Sequence, residues 1–174
     1  MLTPAELKAQ YLSFESVPYA ERQAATTVYQ LLQKTAVKHG QKDALSFHLS
    51  SNPCNKSETL SWRTLLEKVT QCANMLHHLG IRKNDVVAYL LPSQNETVIS
   101  MLGAMTTGIV APINPLLDAE QIASLLAETR AKVLVTLAPF PKTDLAQKAH
   151  RAAELCPELS HIIEIDLGYY LPRH

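Results

Sequence analysis

Val86-Val87-Ala88-Tyr89-Leu90-Leu91, Ile109-Val110-Ala111-Pro112-Ile113 and Lys132-Val133-Leu134-Val135-Thr136-Leu137 are three short, nearly continuous apolar runs. Strands of a parallel sheet read this way, because helices cover the sheet above and below and both faces of each strand are buried. Between the runs, apolar residues return every three or four positions, the period of a helix with one buried face. Val98, Leu102 and Met105 share one such face, and Ile122, Leu125, Leu126 and Thr129 share another. Upstream, Leu65, Val69, Cys72 or Ala73, Leu76 and Leu79 mark a helix over about 62–79. A further helix at about 143–155 leads into His161-Ile162-Ile163-Glu164-Ile165. Short strands alternating with helices of about 12–18 residues predict right-handed βαβ units on a mostly parallel sheet with flanking helices.

Helix starts carry side chains able to accept the orphan amides of a first turn. Ser61 is an N-cap candidate, and Thr27 with Gln30, Ser93 with Glu96 and Asp118 with Gln121 have the spacing of reciprocal capping boxes. Gly40, Gly80 and Gly108 stand where a left-handed residue would close the last turn. Ala44–Leu49 and Glu58–Trp62 flank the polar loop 50–57 and predict an antiparallel hairpin. Residues 1–25 are only weakly periodic and read as a short wrapping segment; residues 26–174 read as a single α/β domain.

Composition narrows the function. Hydrophobic residues make up 47% and charged residues 18%, which describes a chain able to bury a core and argues against disorder. Sixteen Lys and Arg balance sixteen Asp and Glu, with no basic run, so the electrostatic footprint of a nucleic-acid binder is missing. No apolar run approaches the ~18 residues of a membrane span, and the start Met1-Leu2-Thr3-Pro4-Ala5-Glu6 lacks the basic and apolar regions of a signal peptide. Cys54, Cys72 and Cys156 are three in number, far apart and without a C-x-x-C pair, which points to reduced thiols and a cytoplasmic protein. Cys72, set among apolar helix positions, reads as a small buried hydrophobe.

A search for chemistry returns little. Parallel sheets bind ligands beyond the carboxyl ends of their strands, but phosphate needs close backbone approach. The sequence has five glycines and neither a G-x-G-x-x-G nor a G-x-x-x-x-G-K-[ST] motif. Leu91-Pro92-Ser93-Gln94-Asn95 could offer amides to an anion at a helix start, although the expected Ser93–Glu96 box would occupy them. His77 and His78 are adjacent and point in different directions on a helix, a poor metal pair. No G-x-S-x-G elbow is present. Turn and cap chemistry accounts for Asp43, Asp85 and Asp118, and an edge strand accounts for Glu164 and Asp166.

Thr59-Leu60-Ser61-Trp62-Arg63-Thr64-Leu65-Leu66 resembles the first core motif of the adenylate-forming enzymes. Gly103-Ala104-Met105-Thr106-Thr107-Gly108-Ile109-Val110-Ala111-Pro112-Ile113-Asn114-Pro115 resembles their second, and the stretches 73–81 and 85–96 look like the segment between. Pro112–Leu117 with Glu120-Gln121-Ile122, then Pro139–Asp144 and Tyr170-Leu171-Pro172, are similar to AMP-forming acyl-CoA synthetases of the fatty-acid type. The resemblance spans essentially the whole chain.

It implies the N-terminal subdomain of the adenylate-forming fold, in a parent that uses ATP, magnesium and coenzyme A to turn a carboxylic acid into an acyl-adenylate and then a thioester. The family's phosphate loop, magnesium segment, ribose-binding aspartate and catalytic lysine have no counterparts here. The expectation is therefore a truncated, inactive scaffold with no catalytic, cofactor-binding or metal residue of its own. Its partner would be the remainder of the synthetase chain, with self-association through the uncovered sheet. The alternative is a stand-alone, non-catalytic binding module.

Overall fold

The computed structural model describes residues 2–49 and 57–170. In chain order these form α1 (Pro4–Glu15), α2 (Tyr19–Arg22), α3 (Val28–His39), β1 (Asp43–His48), β2 (Ser57–Ser61), α4 (Trp62–His78), β3 (Val86–Leu90), α5 (Asn95–Thr107), β4 (Ile109–Pro112), α6 (Ala119–Thr129), β5 (Ala131–Leu137), α7 (Leu145–Leu155) and β6 (His161–Ile165), closing on a 3-10 turn at Gly168–Tyr170.

The three apolar runs and the 161–165 segment form one sheet in the order β4-β3-β5-β6, every pair parallel. β1 and β2 form a separate antiparallel pair, with Leu45 opposite Leu60 and Phe47 opposite Glu58. This is the α/β architecture the sequence predicts. Most of the expected hairpin loop, residues 50–56, lies outside the described residues.

Right-handed crossovers place α5 on one face of the sheet and α6 and α7 on the other. The packing agrees: α4 lies on α5, and α6 lies on α7 and β5. Val133, Leu134 and Leu137 of β5 are at most 2% exposed because helices press on both sides, which is why the strand shows no polar alternation. Val69, Ile81, Leu90, Ile122 and Leu126 are fully buried with them. Each such side chain contributes about 1.5–3 kcal/mol of transfer free energy. A smaller cluster of Leu32, Leu65 and Val69 joins α3 and α4 to the hairpin.

Several boundaries differ from expectation. Ser61 and Thr27 cap their helices, and Asp118 with Gln121 closes a full box, but Thr27 does so without the reciprocal bond, since the Gln30 carbonyl accepts from Thr26. Ser93 caps nothing: α5 starts at Asn95 behind Gln94, whose side chain makes no cap bond. The unpredicted box is Thr3–Glu6, which starts α1. α5 buries Ser100, Gly103 and Ala104; Met105 is 43% exposed, so the inward face is rotated from the Val98–Leu102–Met105 stripe. Small residues won this face because α4 crosses it closely.

Of the three glycines, Gly80 alone is left-handed, at φ 89°. Gly40 has φ −50°. At Gly108 a Cβ would stand 2.5 Å from the Asp85 carbonyl, so close backbone approach requires glycine there. The left-handed cap after α6 is Arg130, at φ 53°.

Candidate functional site

The loops leaving β3 and β5 turn to opposite faces of the sheet, so the crevice beyond Leu90 and Leu137 is its topological switch point. Polar residues gather near it. Gln94 and Asn95, on the loop from β3 into α5, are 4% and 3% exposed. The Asn95 Nδ2 donates to the Glu58 carbonyl at 3.2 Å and to Glu58 Oε2 at 3.0 Å, tying the hairpin to α5. The Tyr170 hydroxyl donates to Glu58 Oε2 at 2.8 Å and lies 3.3 Å from Glu96 Oε1. Its ring packs edge-on against Phe47, with centroids 5.0 Å apart. One hydroxyl thus joins the hairpin, the start of α5 and the turn after β6.

The electrostatics follow from this geometry. Burial alone would raise the Glu58 pKa, but the bonds from Asn95 and Tyr170 and the positive charge of Lys68 bring it below the usual carboxylate value. Burial raises the Tyr170 pKa well above the ordinary phenol value, and the two glutamates push it further. The hydroxyl therefore stays protonated and acts as a donor.

Four polar atoms buried near these elements have no partner among the described residues: both amide atoms of Gln94, Glu96 Oε2 and Thr136 Oγ1. Thr136 is wholly buried in β5, next to the strand's last residue, Leu137. The α5 start offers amides, since neither Ser93 nor Gln94 caps it with a side chain. Glu96 in its first turn supplies the negative charge such an end favours. A phosphate placed there would face the carboxylates of Glu58 and Glu96, so the donor set does not fit a nucleotide triphosphate. Among the described residues no three His, Cys, Asp or Glu side chains gather as metal ligands.

The residues singled out by sequence fall into structural roles. Asp85 accepts from the Arg82 amide at 2.8 Å and pairs with Lys132 at 2.6 Å. Glu164 meets His150 at 2.8 Å, and Asp166 accepts from the Gly168 amide at 2.7 Å. His77 and His78 are exposed in the last turn of α4, and Arg82 donates to the His77 carbonyl at 2.8 Å. Cys72 is partly buried, with its thiol pKa pushed up to about 11 by desolvation. Glu58 gave no sequence signal: its partners lie 37 and 112 positions away, and only the fold unites them.

An open parallel sheet, helices on both faces and a polar crevice at the switch point define the class of doubly wound α/β domains. The sequence matches the AMP-binding enzyme family over residues 32–170, and the chain belongs to that family. It is 34% identical over 135 residues to marinolic acid–CoA ligase of Pseudoalteromonas sp. (strain SANK 73390), a match covering 78% of this chain and 21% of the ligase. Its fold is similar to the anthranilate CoA ligase AuaEII solved with anthranoyl-AMP, with TM-score 0.70 and 22% identity over 90% of this chain and 28% of that one. It is also similar to the N-terminal domain of FACL13 from Mycobacterium tuberculosis, with TM-score 0.68 and 21% identity over 83% and 34% of the two chains. The chain spans about a fifth of the length of the marinolic acid–CoA ligase.

Proposed function

We propose that this chain is the scaffold part of an ATP-dependent acid–CoA ligase that activates a fatty-acid-type carboxylic acid as its acyl-adenylate and passes it to coenzyme A in the cytoplasm. Residues 26–174 supply the sheet on which the remainder of the synthetase packs, and residues 1–25 are an appended segment. The chain on its own is inactive and self-associates through its open sheet face.

One observation carries the inactive-scaffold reading. The crevice beyond β3 and β5 presents Glu58 and Glu96 around Tyr170, with no gathered cations or glycine-rich backbone to hold phosphate among the described residues. The carboxylates present there do not fit the phosphates of ATP. Family membership and the ligases among its relatives support the activity of the whole.

The test is carboxylic-acid-dependent exchange of labelled pyrophosphate into ATP. The chain alone should give none with acids of any length. Acid-dependent exchange by the isolated chain would overturn the reading.

A further inference from the structure

Away from the parallel sheet, the end of α3, the turn into β1 and the first turn of α4 enclose a pocket of about 320 Å³, lined by residues 37–42 and Arg63. Lys38, Lys42 and Arg63 are exposed there, and neither their side chains nor that of His39 has an ion pair or hydrogen bond among the described residues. The acids nearest in sequence, Asp43 and Glu67, do not line the pocket. The chain as a whole has as many acids as bases, and elsewhere its cations take acidic partners, as Lys132 does with Asp85 and Lys148 with Asp144. A helix end accounts for part of the cluster: Lys38 and His39 lie in the last turn of α3, where positive charge is favoured. Arg63 is placed the other way. It stands in the first turn of α4, where a cation opposes the helix dipole, and no acid shares that turn. Its guanidinium lies over the buried Gly40, where a Cβ would stand 3.5 Å from Arg63 Nε. A cation set against a dipole without a partner is a local cost that an anionic ligand would offset.

We propose that this pocket docks an acidic peptide segment of a partner protein, with several Asp or Glu side chains around one apolar residue that packs on Val37. Val37 lines the pocket and is 89% exposed, so it offers an apolar contact that a bare anion would not use. Phosphate held by backbone does not suit the site. The Trp62 and Arg63 amides at the start of α4 already donate to the Lys42 and Gly40 carbonyls at 3.0 and 3.1 Å, and the Thr64 amide donates to the Ser61 hydroxyl at 3.2 Å. What remains are three cations on long, separate stems, a set that suits carboxylates spread along a peptide. None of the lining residues belongs to the core around the parallel sheet, so this site and the scaffold reading stand or fall separately.

The experiment is a fluorescence-anisotropy titration of the full chain with a labelled synthetic peptide, two repeats of Glu-Asp-Leu-Asp-Glu. Saturable binding is expected, with a dissociation constant on the order of 100 µM at low salt, weakening about tenfold between roughly 50 and 300 mM salt. Lys42→Glu and Arg63→Glu should each weaken it about tenfold; Arg63→Glu puts an acid where the start of α4 favours one, so the fold is not at stake. Val37→Ser should weaken binding about threefold and leave its salt dependence unchanged. Lys83→Glu, the same change of charge beyond the far end of α4, should have no effect. No saturation up to about 1 mM peptide, or an equal loss with Lys83→Glu, overturns the proposal. Displacement of the peptide by inorganic phosphate at constant ionic strength, or equally tight binding of an oligouridylate, also overturns it, by making the pocket a small-anion or nucleic-acid site.

Discussion

Replacing Gly103 with alanine should destabilise the chain, although it removes a glycine from the middle of a helix. Gly103 is buried in α5 where α4 crosses it. A Cβ there would stand 2.6 Å from Cys72 Sγ, 2.8 Å from Cys72 Cβ and 3.3 Å from the Ala73 amide nitrogen. Ordinary carbon contacts lie near ~3.5–4 Å, so the helices would have to separate by roughly 1 Å. Helix propensity favours alanine by about 1 kcal/mol. Overpacking of a close contact costs about 1–3 kcal/mol, and although the Cys72 Sγ could turn away, the Cys72 Cβ at 2.8 Å cannot be moved by a rotamer change. The net expectation is a loss of up to about 2 kcal/mol, a fall in melting temperature of up to roughly 8 °C for a domain of this size. Urea unfolding measures it, with the m-value checking that the transition is unchanged. Adding Cys72→Gly removes the two shortest contacts, so the double variant should recover at least about 1 kcal/mol beyond additivity. If Gly103→Ala alone stabilises by the full propensity gain, the helices have room and the close-crossing argument is wrong.

Other substitutions probe the remaining structure. Asp118→Ala removes the carboxylate that accepts from the Gln121 amide in the α6 capping box, while the position-118 amide keeps its bond to the Gln121 side chain, and should cost about 1 kcal/mol in the same unfolding assay. Tyr170→Phe keeps the ring against Phe47 but leaves Glu58 and Glu96 without its hydroxyl; a loss of about 1–3 kcal/mol is expected, and no loss would deny the hydroxyl its joining role. Bonds from Lys132 and the Arg82 amide lower the folded-state pKa of Asp85 below its unfolded value of 3.8. Its stabilising contribution is therefore complete above that value and is lost as pH falls through the lower folded value. Acid titration of stability should show wild type losing its advantage over Asp85→Asn below about pH 4; a constant difference down to pH 2 would contradict the ion-pair account.

The sheet was legible because β3, β4 and β5 are nearly continuous apolar runs, and such a short run alternating with helices has few other readings. α6 was legible at its start because Asp118 and Gln121 form the box their spacing announces. α5 was read less well: its outer positions are as apolar as its inner ones, since Ile99 and Leu102 pack on the hairpin cluster while Gly103 and Ala104 meet the close crossing and the core. Periodicity cannot separate two buried faces. The start of α5 was misplaced because Ser93 and Glu96 have box spacing, whereas Thr97 bonds the Pro92 carbonyl and the chain turns one residue later at Gln94. The polar crevice was not legible at all. It needs β2, α5 and the 3-10 turn together, and nothing local to Glu58 marks it as a partner of Tyr170.

The central claim is that this sheet supports adenylation without performing it, and calorimetric titration of the isolated chain with Mg-ATP tests it most directly. The crevice gathers carboxylates at the place where phosphate would need cations beside the amides of the α5 start. The account predicts no saturable heat at millimolar nucleotide. A dissociation constant below about 100 µM, more than roughly 5 kcal/mol of binding free energy, would contradict it.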